Sequence, residues 1–248
     1  MLNYMRKTTL ALKILHNQWK YGVNRYTAMQ KAAYARGTSD HPEHNENPDY
    51  WEILLRNVAD NTAYWDGKKA LDFACGKGRN IHNLKKVSGW SEVDGVDISE
   101  ANIEHCKSRF DESGSNFYCC SGINIEEVPS EYYDFVLSTI ALQHIPVHDI
   151  RSSIFKDIYR VMKEGALFSF QMGAGDSLFD SNGNKLSSYY ENSYNASGTN
   201  SDHDVQITDP QELVRDLLEI GFKDIEYEIR PSFSDSKHEK WIYVQCYK

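Results

Sequence analysis

From about residue 70 the chain alternates short β-branched and aromatic runs with longer stretches whose apolar positions recur every three or four residues. That alternation predicts a parallel sheet covered by helices, because each strand needs a crossover that packs back on the sheet. Residues 69–73, 93–98, 116–119, 133–138 and 166–172 read as the first five strands. Between them, 79–87 reads as a helix. Ser99 is placed to cap a second helix with Ile103, Cys106 and Phe110 on one face. A third carries Ile150, Ile154, Ile158 and Val161 and is expected to stop at Gly165. Residues 173–205 break the rhythm, crowded with Gly, Ser, Asn and Asp around Tyr189, Tyr190 and Tyr194. A loop of that length in a compact domain is functional or disordered. The first reading makes 173–208 a substrate-side insertion whose tyrosines gate the site. Order returns at Asp209, a capping residue followed by Pro210 and, three positions on, Glu212. Leu213, Leu217 and Ile220 carry that helix to Gly221, and 225–229 and 241–246 supply two closing strands.

The first 60 residues differ. They are helix-prone and rich in aromatics (Trp19, Tyr21, Tyr26, Tyr34), pass through the polar run from His41 to Pro48, and re-enter a helix at Asp49 with Tyr50, Trp51 and Leu54. This predicts an N-terminal helical cap, 1–60, on a sheet domain, 61–248. At 248 residues with 40% hydrophobic and 25% charged positions, the chain suits one core with an appendage. No apolar run approaches the roughly 18 residues of a spanning helix, and a secretory signal pattern is not present. The net charge of −9 disfavours a polyanionic partner. Residues 1–39 nevertheless hold seven Lys or Arg and no acid. That excess reads as a solvated helix face on an acidic body, with a nucleic-acid arm, a membrane-surface arm or a transit peptide as the other readings. Five cysteines, an odd count without framework spacing, suit a reducing cytoplasm, so the sequon at Asn195 reads as chance.

The chemistry concentrates where the first strand ends, in Ala70-Leu71-Asp72-Phe73-Ala74-Cys75-Gly76-Lys77-Gly78-Arg79-Asn80. Closely spaced glycines between a strand and a helix let a ligand meet bare backbone and helix N-terminal amides. A dinucleotide fingerprint wants a third glycine where Ile81 stands, and no Gly-Lys-Ser/Thr follows for a phosphate loop. What remains suits a ligand with a ribose and a zwitterionic tail. Asp97, 21 positions after Gly76 at the end of the second strand, is placed to accept ribose hydroxyls.

Leu71 to Gly78 resembles the first motif of class I S-adenosylmethionine (SAM) dependent methyltransferases, and Val93-Asp94-Gly95-Val96-Asp97-Ile98-Ser99 is similar to their second. Tyr133 to Ser138 running into Thr139-Ile140-Ala141-Leu142-Gln143-His144-Ile145 resembles the fourth-strand motif of the small-molecule branch, and Tyr159 to Gly165 the lead into the fifth strand. Ala74 departs from the pattern, where Gly is common. The resemblance implies a Rossmann-like α/β fold with a seven-stranded sheet, mostly parallel with an antiparallel last strand. It implies SAM as cofactor and S-adenosylhomocysteine as product. By position, Ala74, Cys75, Gly76 and Gly78 would line the methionine end, and Asp72 would orient that turn. Asp97 would hold the ribose, with Ile98, Asn124 and Ile125 around the adenine. Thr139 and His144 would lie beside the methyl group.

His144 is the candidate general base, since an imidazole titrating near neutrality is matched to removing a hydroxyl or ammonium proton. Its alternative is a helix-start histidine bound to backbone. Tyr34, Tyr50 and Trp51 are candidates to close over the sulfonium. His148 reads as a surface residue, and His144/His148 or His41/His44 give too few ligands for a metal, so none is expected. The motifs of amino-methylating DNA enzymes, cytosine-C5 enzymes and metal-dependent catechol-type enzymes are absent here, leaving a small-molecule or sugar acceptor methylated on O or N. The alternatives are an RNA methyltransferase using the basic arm, a non-catalytic scaffold, and a relative transferring another group from a SAM-like ligand. The sequence leaves the oligomeric state open.

Overall fold

The computed structural model describes residues 20, 22–37, 48–111, 114–195, 204–232 and 236–248, with the side chains of 48–50 excepted. His41, His44 and most of the basic arm lie outside them. Among the described residues no helix is long and apolar enough to cross a membrane.

Seven strands form one sheet in the order β3-β2-β1-β4-β5-β7-β6. They are β1 (Lys69–Phe73), β2 (Glu92–Asp97), β3 (Phe117–Cys119), β4 (Tyr133–Ser138), β5 (Met162–Ala174), β6 (Lys223–Pro231) and β7 (Lys240–Tyr247). β1 to β5 are mutually parallel, while β7 runs antiparallel to both β5 and β6. The expected Rossmann-like sheet with its antiparallel last strand is therefore present. β1, β2 and β4 are buried on both faces along nearly their whole length, although β2 carries Asp94 and Asp97 among its buried positions.

Helix α1 (22–33) lies over the open end of the sheet. The short α2 (Pro48–Leu54), α3 (Arg56–Ala59) and α4 (Thr62–Trp65), with α5 (Arg79–Val87) and α6 (Glu100–Arg109), contribute to one core, where Leu54, Val58, Trp65, Ile81 and Ile103 meet Ala70, Val93 and Phe135. α7 (His148–Val161) and α8 (Pro210–Ile220) cover the other face, where Ile154, Phe155, Leu213 and Leu217 meet Leu71, Val136 and Phe168. Ser99 caps α6 by accepting from the Asn102 amide, and Asp209 caps α8 by accepting from Gln211.

Two expectations change. The third crossover helix stops at Val161, because Met162 is already extended and pairs with Tyr133. Gly165 instead sits inside β5 at a positive φ of 76°, where the register with β4 shifts. It acts as a bulge residue, for which the missing Cβ is an advantage. Within 173–208, the described residues are strapped down by isolated bridges, Ala174 to Ile207, Phe179 to Lys185, Ser187 to Val205 and Asn192 to Val147. Tyr189 is buried in the core and donates to Asp216, Tyr190 points outward and donates to the Glu212 carbonyl, and Tyr194 packs near Gly22. None of the three lines the cavity described next.

Candidate active site

The parallel strand order reverses around β1, which has β2 on one side and β4 on the other. Crossovers leave in opposite directions there, so a crevice opens beyond the carboxyl ends of these strands. It holds a cavity of about 500 Å³, floored by Phe73 to Lys77, Val96 to Ile98 and Thr139 to Ala141, and roofed by Tyr26 and Gln30 of α1 and by Tyr34 in the turn after it.

The floor begins with a tight turn. Ala74, Gly76 and Gly78 take left-handed conformations, with φ of 59°, 52° and 80°. Ala74 accepts a strain of about 1–2 kcal/mol that glycine would avoid. Gly78, the N-cap of α5, does not line the cavity; a Cβ there would fall 2.4 Å from the Phe110 ring, so its bareness serves packing behind the turn. Asp72 is also absent from the lining. It lies fully buried beneath the turn, accepts from Asn80 Nδ2 at 3.0 Å, and the same amide donates to Thr139 Oγ1 at 2.8 Å. One buried amide thus ties the ends of β1 and β4. Burial pushes the Asp72 carboxyl up to about 7, against the opposing pull of the Asn80 hydrogen bond and the Arg79 charge.

Asp97 closes the floor from β2. Its Oδ2 accepts from the Gly76 amide at 2.9 Å, and its Oδ1 from the Ser99 amide at 2.8 Å and from Asn102 Nδ2 at 3.1 Å. Burial raises its pKa and these donors oppose the rise. The Ile98 amide adds to these donors, so the carboxylate is held in its charged form from several sides. Ile98 lines the cavity beside Gly122, and Asn124 lines it with its amide held by Ser121 and Glu126. Ile125 does not: it is fully buried, with its N–H donated to Asp157 and its carbonyl accepting from Arg160.

α1 is moored over the floor by the Ser99 hydroxyl, which donates to the Tyr34 carbonyl at 2.7 Å. Tyr34 lines the cavity as anticipated, whereas Trp51 packs against the core on the opposite side of the sheet. The reason is that α2 follows its carbonyls there: Leu54 accepts from Ser169 Oγ at 2.7 Å, and Ile53 from Gln245. The side chain of Tyr50 lies outside the described residues.

The far wall carries His144, at the end of a short 3-10 turn, Leu142–His144. Its Nδ1 is 2.7 Å from Asp204 Oδ1. Burial works to lower the His144 pKa, but the Asp204 charge and hydrogen bond outweigh it and hold the pKa above the ordinary histidine value. Ile140, a β-branched residue at a positive φ of 49°, marks backbone strain on the same wall. His148 is not a surface residue. Its Nε2 meets Asp216 Oδ2 at 2.7 Å, and Asp216 also receives the Tyr189 hydroxyl. Beside them Arg151 is wholly buried, donating to the Ile145 and Tyr189 carbonyls. Among the described residues no group of three or more His, Cys, Asp or Glu is placed to hold a metal ion, and all five cysteines are free thiols.

Sequence reasoning missed Tyr26, Gln30, Arg79 and Asn80 in the lining, and Asp204 behind it. Arg79 and Asn80 follow the glycine turn directly and were within reach of inspection. Asp204 was not, since nothing local marks an acid 60 residues from its histidine.

Residues 70–165 match the family model for a methyltransferase domain. Over this stretch, from β1 to the start of β5, the chain is similar to such a domain. Solved structures share its fold at low identity. The [4+2]-cyclase SpnF superposes with a TM-score of 0.59 at 13% identity, covering 93% of this chain and 94% of its own. A Haemonchus contortus phosphoethanolamine N-methyltransferase 2, in complex with phosphomonomethylethanolamine and S-adenosylhomocysteine, gives 0.55 at 16% identity over 81% of this chain. A SAM-dependent methyltransferase from Methanosarcina mazei gives 0.52 at 18%, covering 77% of this chain and 96% of its own. The chain spans 58% of the length of the Haemonchus protein. No curated protein matches it in sequence.

Proposed function

We propose that the protein transfers the methyl group of SAM to an oxygen or nitrogen of a small-molecule acceptor, releasing S-adenosylhomocysteine. The observation that carries this reading is that one cavity joins the strained glycine turn, the Asp97 carboxylate at the end of β2 and a half-buried histidine. The residues present fit the cofactor. Arg79, on the first turn of α5, offers a guanidinium to its carboxylate. Ala74 to Gly76 border its methionine chain, Asp97 faces its ribose hydroxyls, and Ile98 and Asn124 flank the adenine. Tyr34 lines the same cavity, and aromatic ring faces attract cations such as a sulfonium. Bound SAM supplies an electrophilic methyl carbon.

What the protein adds is alignment and a proton acceptor. Holding two reactants in line contributes on the order of 7–11 kcal/mol at best, and a positioned base roughly 10²–10⁴-fold. Thr139, fixed by Asn80, borders the reacting region, and His144 faces it from the far wall. SpnF, a cyclase on the same fold, shows why fold alone does not establish the reaction. The test is incubation with methyl-labelled SAM and a panel of small hydroxylated and amino compounds, reading label in product and S-adenosylhomocysteine released. Labelled product supports the assignment. Cofactor binding without transfer to any acceptor class, RNA included, would leave a binding protein or a different transfer.

A further inference from the structure

His144 is not held by its own helix turn alone. Asp204 reaches it from the segment after β5, and the backbone around Asp204 is clamped on three sides. The Val205 amide donates to the Gln143 carbonyl at 2.8 Å, the Ser187 amide donates to the Asp204 carbonyl at 2.9 Å, and the Ile207 amide donates to the Gly173 carbonyl at 3.0 Å. Asp204 is only 4% exposed, and its second oxygen lies 3.5 Å from Nε2 of His238, itself 3% exposed and held through Nδ1 by Gln206 at 3.1 Å. A Cβ on Gly173 would fall 2.1 Å from the His238 ring, so bare backbone in β5 is what admits that ring. Burying a carboxylate is expensive unless it is paired. This one is brought by a long excursion of the chain to the one histidine that, among the described residues, lines the cavity.

We infer that Asp204 is the positioning residue for His144: it accepts the Nδ1 proton and fixes the tautomer, so that Nε2, 3.4 Å from the Gln143 side-chain amide nitrogen, keeps the lone pair that an acceptor's proton needs. This inference rests on the methyl-transfer reading. His144 Nε2 takes the proton of the acceptor O–H or N–H while the acceptor's freed electron pair bonds the methyl carbon. The carbon–sulfur pair returns to sulfur, so charge and atoms balance. The imidazolium formed sits against Asp204, whose pKa lies below the ordinary carboxylate value because the His144 and His238 interactions outweigh its burial. The charged or titratable groups around the pair are Asp204 and, beyond it, His238 from the segment before β7, with Tyr34 from the turn after α1, whose own pKa is raised by burial and by Asp204 and Asp97.

The test reads the histidine itself. Long-range proton–nitrogen correlation spectra of the full-length labelled protein are recorded from about pH 5 to 9, with His144→Gln assigning the resonance. The wild type is expected to show an Nδ1–H tautomer and a midpoint above about 6.5. In Asp204→Asn the midpoint is expected to fall by about a unit or more, and Asp204→Glu is expected to restore part of the shift. Once an acceptor is in hand, Asp204→Asn should lower kcat about 10–100-fold, leave KM for SAM nearly unchanged, and move the pH–rate profile with the NMR midpoint. An Nε2–H tautomer in the wild type overturns the assignment without any variant. So does a His144 titration unchanged in a folded Asp204→Asn. Failure of the parent reading looks different: S-adenosylhomocysteine would not bind, whatever the histidine does.

Discussion

The two ends of the cavity are built in opposite ways. The floor is a local object: Asp72 to Asn80 spans nine consecutive residues, and its partner Asp97 sits on the neighbouring strand, its Oδ2 2.9 Å from the Gly76 amide. Its chemistry is backbone amides and one carboxylate, held by turn geometry. The far wall is an assembly: His144 after β4 meets Asp204 from beyond β5, beneath the roof that Tyr26 and Gln30 of α1 provide. Its chemistry is side chains, and its precision depends on tertiary packing. The difference teaches which half of such a site can vary. A floor fixed by strand ends suits one invariant ligand, while a wall delivered by an insertion can be rebuilt for another acceptor without disturbing the sheet.

Four substitutions break or sharpen that contrast. His144→Gln removes the wall's base and should lower methyl transfer roughly 10²–10⁴-fold, while S-adenosylhomocysteine affinity by calorimetry stays within about twofold of wild type, because the floor is untouched. Asp97→Asn attacks the floor instead. Losing a charge-assisted bond of about 1.5–3 kcal/mol should weaken S-adenosylhomocysteine about 10–100-fold, with the His144 titration unmoved. Asp72→Asn tests the buried tie under the turn. The folded carboxyl titrates near 7, above the ordinary value of 3.8, so the folded chain keeps a proton the unfolded chain releases, and stability falls as pH rises from about 4 to 7. The variant should lack that slope, gaining on the order of a few kcal/mol relative to wild type in urea melts at alkaline against acid pH. Ala74→Gly is the mildest: relieving left-handed strain is worth about 1 kcal/mol, partly offset by the freer unfolded chain, and should appear as a small rise in Tm with cofactor affinity unchanged.

The same contrast explains how much of the molecule was legible in the sequence. Strand and helix patterns sufficed for the parallel sheet and its turn, because periodicity and glycine spacing are local signals. Gly165 misled because a glycine after a helix reads as a stop, whereas here the strand had begun three residues earlier and needed a bulge. Trp51 misled because an aromatic near a cap reads as a lid, while the Ser169 and Gln245 contacts of α2 take it to the other face. His148 read as surface because Asp216, its partner, is 68 residues away. Asp204 was invisible for the same reason. No spacing rule connects residues that meet only after the sheet has formed.

The central claim is that the cavity over the carboxyl ends of β1, β2 and β4 is a SAM site. Titrating the full-length protein with S-adenosylhomocysteine by isothermal calorimetry, beside Asp97→Asn, tests it most directly. The account predicts one site per chain in the wild type and a constant about 10–100-fold weaker in the variant. A folded wild-type protein that releases no binding heat and shows no rise in Tm at saturating ligand would contradict it.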